Sequence, residues 1–170
     1  MIEIQVAGAG AGKTFGLSEK LIECGNLNNS HKIIYAITYT NSAKKKISQT
    51  ILEKTGYIPE IIRIETVHSF FLNEIIYPFS KFTTSDMYNN AVSYKLPDKI
   101  IWKKNKINKL KARNIIHNEE VFNKAKIIID KTNSKHGNKS KKANVDFIIS
   151  HINSKISHIF IDESQDLDAD

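Results

Sequence analysis

The stretch Ala7–Thr14, AGAGAGKT, governs how the rest of the chain is read. Ala7, Gly8, Ala9, Gly10, Ala11 and Gly12 form an alternating run of small residues that ends in Lys13-Thr14. The dinucleotide fingerprint is excluded, because its third glycine would have to stand where Lys13 is. The spacing fits a nucleoside-triphosphate loop instead, with Ala7 in place of that loop's first glycine. Upstream, Ile2–Ala7 (IEIQVA) is short, apolar and partly β-branched, which predicts a buried strand. Downstream, Gly12 to about Cys24 predicts a helix whose positive N-terminal end would face phosphates. Glycines let the backbone turn sharply and aim its N–H groups at an anion. Lys13 would neutralise the β/γ oxygens of the triphosphate, and the Thr14 hydroxyl would hold Mg²⁺. The competing reading is a glycine-rich turn with a fortuitous Lys-Thr. The strand before it and the helix after it favour the phosphate cradle.

Working outward, apolar strands alternate with amphipathic helices. Lys32–Thr38 (KIIYAIT) predicts a second strand. The helix that follows carries Ala43, Ile47 and Ile51 on one face and ends at Gly56. Glu60–Val67 predicts a third strand, and His68 to about Tyr77 a helix that stops before Pro78. This alternation implies a parallel sheet with crossover helices. From about Tyr88 to Asp130 the spacing becomes helical, as in Val121, Phe122, Ala125, Ile128 and Ile129. Thr132–Asn144 is a polar connection, followed by a short helix near Val145–Asn153 and a last strand, His158–Asp162 (HIFID).

That last strand ends in Asp162-Glu163. In phosphate-loop enzymes the acidic end of a second buried strand holds the metal, and a neighbouring carboxylate orients the attacking water. Surface acid pairs are common, but this one follows Ile159-Phe160-Ile161.

The 170 residues suffice for a real core, and 41% hydrophobic content marks an ordinary folded protein. A single Cys24 excludes an internal disulfide framework and a cysteine-cluster metal site. No apolar run reaches membrane-spanning length and the opening strand is too short for a signal peptide, so a cytoplasmic protein without membrane contact is expected. The net charge is +7. Residues 95–142 hold fifteen Lys/Arg against four acids, leaving the remainder mildly acidic. A basic segment beside a triphosphate site suggests a phosphate-rich polymer as partner. A solvated lysine face in a Lys-, Asn- and Ile-rich chain accounts for it about as well.

Four stretches, in order, resemble the N-terminal motor domain of UvrD/Rep-type superfamily 1 DNA helicases. AGAGAGKT resembles the first motif, and Thr38–Ile47 (TYTNSAKKKI) the family's TFTNKAA-E-M block. Glu65–Phe70 (ETVHSF) resembles its GTFHSF block, and Ile159–Asp166 (IFIDESQD) its DEAQD motif. The match covers roughly residues 1–75 and 155–168. The resemblance implies an α/β fold of the P-loop NTPase (RecA-like) kind, a parallel sheet with an inserted helical subdomain. The expected domains are a first part of the core at 1–80, a helical basic insertion at 81–144, and a second part of the core at 145–170.

It also implies an ATP-driven motor moving on single-stranded DNA or at a single-strand/duplex junction, usually 3′ to 5′. Gly12, Lys13 and Thr14 would bind ATP phosphates and Mg²⁺, Asp162 would support the metal, Glu163 would orient water, and Gln165 would couple nucleotide to motor. Tyr39 stands where the family stacks a phenylalanine on a base, keeping the π-face. Thr38, Thr40, Asn41, Thr66 and His68 would line the DNA track. From the residue alone, His68 serves equally well in packing. Glu65 replaces the family's glycine and Ser164 its alanine, and the adenine-reading glutamine has no counterpart before the first strand.

The family's third motif, second motor domain and arginine fingers would lie beyond Asp170. The chain is therefore expected to be the N-terminal part of a longer helicase, with its sheet incomplete at the C-terminus. Its partner would be the C-terminal motor domain, and alone it would show feeble ATPase. Phe70–Phe82 is similar to compact helicase-like subunits of anti-phage systems such as Gabija. A helicase–nuclease, an anti-phage defence helicase and a non-catalytic nucleotide- or DNA-binding remnant stand as alternatives.

Overall fold

The computed structural model describes residues 12–28, 30–84, 86–132 and 139–162. The strand expected at Ile2–Ala7, the loop residues Ala7 to Ala11, and Glu163 and Gln165 lie outside the described residues. In chain order the first elements are α1 (Lys13–Leu27), β1 (Ile33–Thr38), α2 (Asn41–Thr55), β2 (Ile62–Thr66) and α3 (Val67–Phe70). A π-helical segment (Phe71–Ile76) follows, then α4 (Tyr77–Thr83), β3 (Ala91–Ser93), α5 (Ile100–Lys111) and β4 (Ile115–His117). A 3₁₀ turn (Asn118–Glu120), α6 (Val121–Ile129), α7 (Lys139–Lys155) and β5 (Ile156–Ile161) complete it. The chain divides into two compact units, Met1–Val67 with Lys155–Asp170, and His68–Ser154.

The first unit is built on β1, whose continuous apolar run is what a strand buried on both faces requires. It lies between β2 and β5, and both pairings are parallel, from Ile34 opposite Ile62 to Thr38 opposite Thr66, and with Ile37 opposite Ile161. Leu21 of α1 and Ile47 and Ile51 of α2 close over Ile34, Ala36, Ile62 and Ile64. The four-residue spacing of Ile47 and Ile51 puts both on one helix face. Each is wholly buried, which stabilises by about 2 kcal/mol.

Local chemistry sets the ends of α2. The Thr40 hydroxyl accepts from the Ala43 N–H at 3.1 Å. Gly56 ends the helix at φ 76°, and its N–H donates to the Leu52 carbonyl. On β5 the alternation leaves Ile159 and Ile161 45% and 43% exposed, so one face of this strand is open.

In the second unit, Leu72, Ile75, Ile76 and Phe79 meet Val121, Ala125 and Ile128 of α6, with Tyr88, Ile116 and Ile148. The sequence stops a helix before Pro78, whereas the structure carries helical backbone on to Thr83. The π-helical segment explains the difference. Its register lets the Tyr77 N–H bond the Leu72 carbonyl and places Pro78 in the first turn of α4, where a missing N–H is tolerated.

The basic segment is not wholly helical either. β3 and β4 form a two-stranded parallel pair, Ala91 to Ser93 beside Ile115 to His117, with α5 as the crossover. The last helix, α7, starts at Lys139, inside the stretch expected to be a polar connection.

Buried Asp86 anchors this unit. Its carboxylate meets the Lys111 ammonium at 2.6 Å and the Lys124 ammonium at 3.2 Å, and accepts a long hydrogen bond from the Tyr88 hydroxyl at 3.4 Å.

Candidate nucleotide site

In an open parallel sheet, ligands bind beyond the carboxyl ends of the strands, where the strand order reverses direction. Among the described strands that reversal falls at β1, which has β2 on one side and β5 on the other. Asp162 follows β5 at this edge, is buried, and donates its backbone N–H to the Ile37 carbonyl at 2.9 Å. That bond fixes the carboxylate-bearing residue beside the end of β1.

The helix α1 reaches the same edge by a length argument. Its C-terminus is tied to the opposite, amino edge, where the Asn28 side-chain amide donates to the Lys32 carbonyl at 2.7 Å and meets the Ser157 hydroxyl at 3.5 Å. A 15-residue helix runs about 22 Å. A six-residue strand runs about 20 Å. Because α1 packs back along β1, its N-terminus returns to the level at which β1 ends.

That N-terminus is capped by Gly12 at φ 71°, a left-handed conformation that favours glycine, and the Gly12 carbonyl accepts from the Gly16 N–H at 2.9 Å. Among the described residues a Cβ at Gly12 would meet nothing within 4 Å, so it is the backbone conformation that asks for glycine here. Lys13 opens the helix. Thr14 lies half-buried in the first turn, its carbonyl accepting from the Ser18 hydroxyl at 2.9 Å.

The other candidates in this unit collect at the same edge. Thr38 is fully buried at the end of β1, its hydroxyl donating to the Thr40 carbonyl at 3.1 Å. That bond braces the turn holding half-buried Tyr39. Thr40 is exposed, with its hydroxyl engaged as the cap of α2. Asn41, with Lys44 and Lys45, lines an open groove of about 650 Å³ along α2. Thr66 ends β2 directly opposite Thr38.

His68 belongs to the second unit. There its ring meets Phe122 edge-on at 4.7 Å, and burial lowers its pKa, favouring the neutral form.

One contact was not read from the sequence. Glu65, the departure from the family's glycine, pairs with Lys44 of α2 at 3.2 Å. It joins two of the motif blocks across the sheet edge. The signal was a glutamate 21 residues after Lys44, the first of a three-lysine run, which has meaning only once β2 and α2 are known to be neighbours.

The donors at this edge suit Mg²⁺, which is held by one or two carboxylates together with substrate phosphates and not by a dedicated protein cage. Among the described residues no group of three or more His, Cys, Asp or Glu gathers to form such a cage. A buried carboxylate at Asp162, a hydroxyl at Thr14 and the glycine-capped start of α1 fit a metal that arrives with a nucleotide.

No helix among the described residues is long and apolar enough to cross a membrane. A comparison with curated proteins finds no match to the chain. A family model, described as an AAA domain, matches residues 2–170. With a parallel α/β sheet carrying these residues at one edge, the chain belongs to this AAA domain family, a nucleotide-binding, helicase-like ATPase domain found in UvrD/Rep-type helicases.

Proposed function

We propose that the chain is the ATP-binding part of an ATP-dependent DNA helicase or translocase working on single-stranded DNA, usually 3′ to 5′. The observation that carries this is the gathering of Asp162, the Gly12-capped end of α1, and the Thr38–Thr40 turn at one carboxyl edge of a parallel sheet. In this proposal Ala7 to Gly12 wrap the phosphates, Lys13 neutralises the β/γ oxygens, and Thr14 and Asp162 hold Mg²⁺. The metal would supply charge neutralisation on the phosphate oxygens. Glu163 orients the water, and Gln165 couples the nucleotide to the motor. Tyr39 stacks on a base while Thr38, Thr40, Asn41, Thr66 and His68 line the track. The braced turn after β1 supports that role, since it fixes Tyr39 beside the nucleotide edge. Lys44, held by Glu65, and exposed Lys45 line the same groove as Asn41.

Binding, not turnover, is the fitting readout, because hydrolysis in such motors draws charge stabilisation from a second motor domain across the cleft. A fluorescent ATP analogue should bind the 170-residue chain in a Mg²⁺-dependent way, with an affinity that shifts when a thymidine oligomer is added. Lys13→Ala should abolish that binding, and Asp162→Asn should remove its Mg²⁺ dependence. DNA binding indifferent to nucleotide, with no Mg²⁺-dependent ATP binding, would sink the motor proposal in favour of a non-catalytic DNA-binding module. A helicase–nuclease or a defence helicase would share this motor and this result.

A further inference from the structure

The eight cations between Tyr94 and Asn114 face a single acid, Asp98, so these 21 residues carry a charge equal to the +7 of the whole chain. The structure sorts them on α5 and its flanks. The helix is anchored inward by buried Leu110 and half-buried Ile107, and at its last turn by the Lys111 pair with Asp86. The side adjoining this anchored face is different. Lys99, Trp102, Lys106, Lys109 and Arg113 recur at three- and four-residue intervals, and all five are exposed. Within α5 that spacing sets Trp102, Lys106 and Lys109 in one stripe about 10 Å long, with Lys99 at the helix N-cap and Arg113 in the turn after it extending the row at either end. Among the described residues no carboxylate pairs with its four cations. Trp102, the only tryptophan, stands within the stripe at 56% exposure, and the Lys99 ammonium sits 4.8 Å from its ring.

Four cations in a row with no carboxylate partner among the described residues repel one another, and a ring more than half exposed gains little from packing. Together they match what an unpaired nucleic-acid strand offers: a line of phosphates for the lysines, and a base for the ring. A duplex would satisfy the cations and leave the ring without a base to stack on. A membrane-surface helix would gather its apolar residues on the exposed stripe, whereas here cations occupy the stripe on both sides of Trp102.

We infer that the exposed stripe of α5 is a single-stranded nucleic-acid contact, with phosphates on Lys106, Lys109 and Arg113 and a base stacked on Trp102. The choice of ligand rests on the motor proposal above, while the stripe itself does not involve the nucleotide edge.

Trp102 reports on its own site. The 170-residue chain is titrated with a thymidine oligomer while tryptophan emission and the salt dependence of binding are followed. Emission should be quenched on binding. Lys106→Gln with Lys109→Gln should weaken binding and reduce the slope of log K against log salt by about 1.4, the release expected for two phosphate contacts on a single strand. Lys104→Gln with Lys126→Gln, which removes equal charge from exposed positions off the stripe, should change the slope far less. Trp102→Ala, followed by anisotropy of a labelled oligomer, should bind roughly tenfold more weakly.

Equal losses in both lysine variants would mean a diffuse charge effect and overturn the proposal. So would an unquenched Trp102, or quenching by phosphatidylserine vesicles in place of the oligomer. Fluorescent ATP binding, run in parallel, separates the two proposals. If it persists while the stripe fails, the nucleotide site stands without α5. If α5 binds DNA in a chain that takes up no nucleotide, the motor proposal fails and the stripe remains.

Discussion

Removing the Asp86 carboxylate should destabilise the second unit more than any surface change. Asp86 is only 8% exposed, Lys124 15% and Lys111 43%, so the two arms of the cluster differ in kind. The Lys111 arm is half in water and contributes at most about 1 kcal/mol. The Lys124 arm is largely buried, and deleting its partner leaves an ammonium with little compensation. Breaking such a pair costs about 3–5 kcal/mol, and Asp86→Ala is expected near the low end because Lys111 can rehydrate. With a urea slope of about 2 kcal/mol/M, a loss of about 3 kcal/mol moves the unfolding midpoint down by about 1.5 M.

Far-UV circular dichroism is the assay to use, since Trp102 is already largely exposed in the folded state. Pairing Asp86→Ala with Lys124→Met in a double-mutant cycle should give a coupling of at least about 1.5 kcal/mol. Additive losses would refute the picture of one buried cluster. The pH dependence has a definite sign. Burial alone would raise the pKa of Asp86, but hydrogen bonds and charge from Lys111 and Lys124 outweigh it and hold the carboxyl below its ordinary value. Its contribution is therefore complete above the unfolded carboxylate pKa, near 3.9, and is lost as the pH falls through the lower folded value.

Two further tests concern single side chains. Thr40→Ala removes the cap on α2 and should cost about 1 kcal/mol, whereas Thr40→Ser should keep it; a DNA-binding loss shared by both variants would separate contact from cap. Tyr88 is pushed up to about 12 by burial and by the Asp86 carboxylate, so its stabilising effect is whole below pH 10 and fades as the pH climbs toward 12. Ultraviolet titration of the phenolates should show a late-ionising component that shrinks by one group in Tyr88→Phe; a late component unchanged in that variant would contradict it.

Much of the first unit is legible in the sequence because its signals are local. β1 shows itself as an unbroken apolar run, α2 by Ile47 and Ile51 four residues apart, and the ends of α2 by Thr40 and Gly56, each acting within a turn of its own position. The second unit is less legible, since its decisive contacts are remote in sequence. Asp86, Lys111 and Lys124 come from three separate segments, and three-residue strands such as β3 and β4 are too short to show a period. Pro78 misleads for a related reason: proline ends a helix in regular register, and the π-helical turn before it changes that register.

The sequence by itself determined the alternation of strands and helices, the placing of glycine at positions 12 and 56, and the residue types a phosphate site requires, because each depends on near neighbours along the chain. Only the tertiary structure decided that Asp162 and the turn at Thr38–Thr40 share one edge, that Glu65 holds Lys44, and that a lysine-rich helix is anchored on one side while an adjoining stripe of cations stays exposed. Those outcomes follow from which strands lie side by side and from what burial leaves unpaired, and neither is encoded in any single stretch of residues.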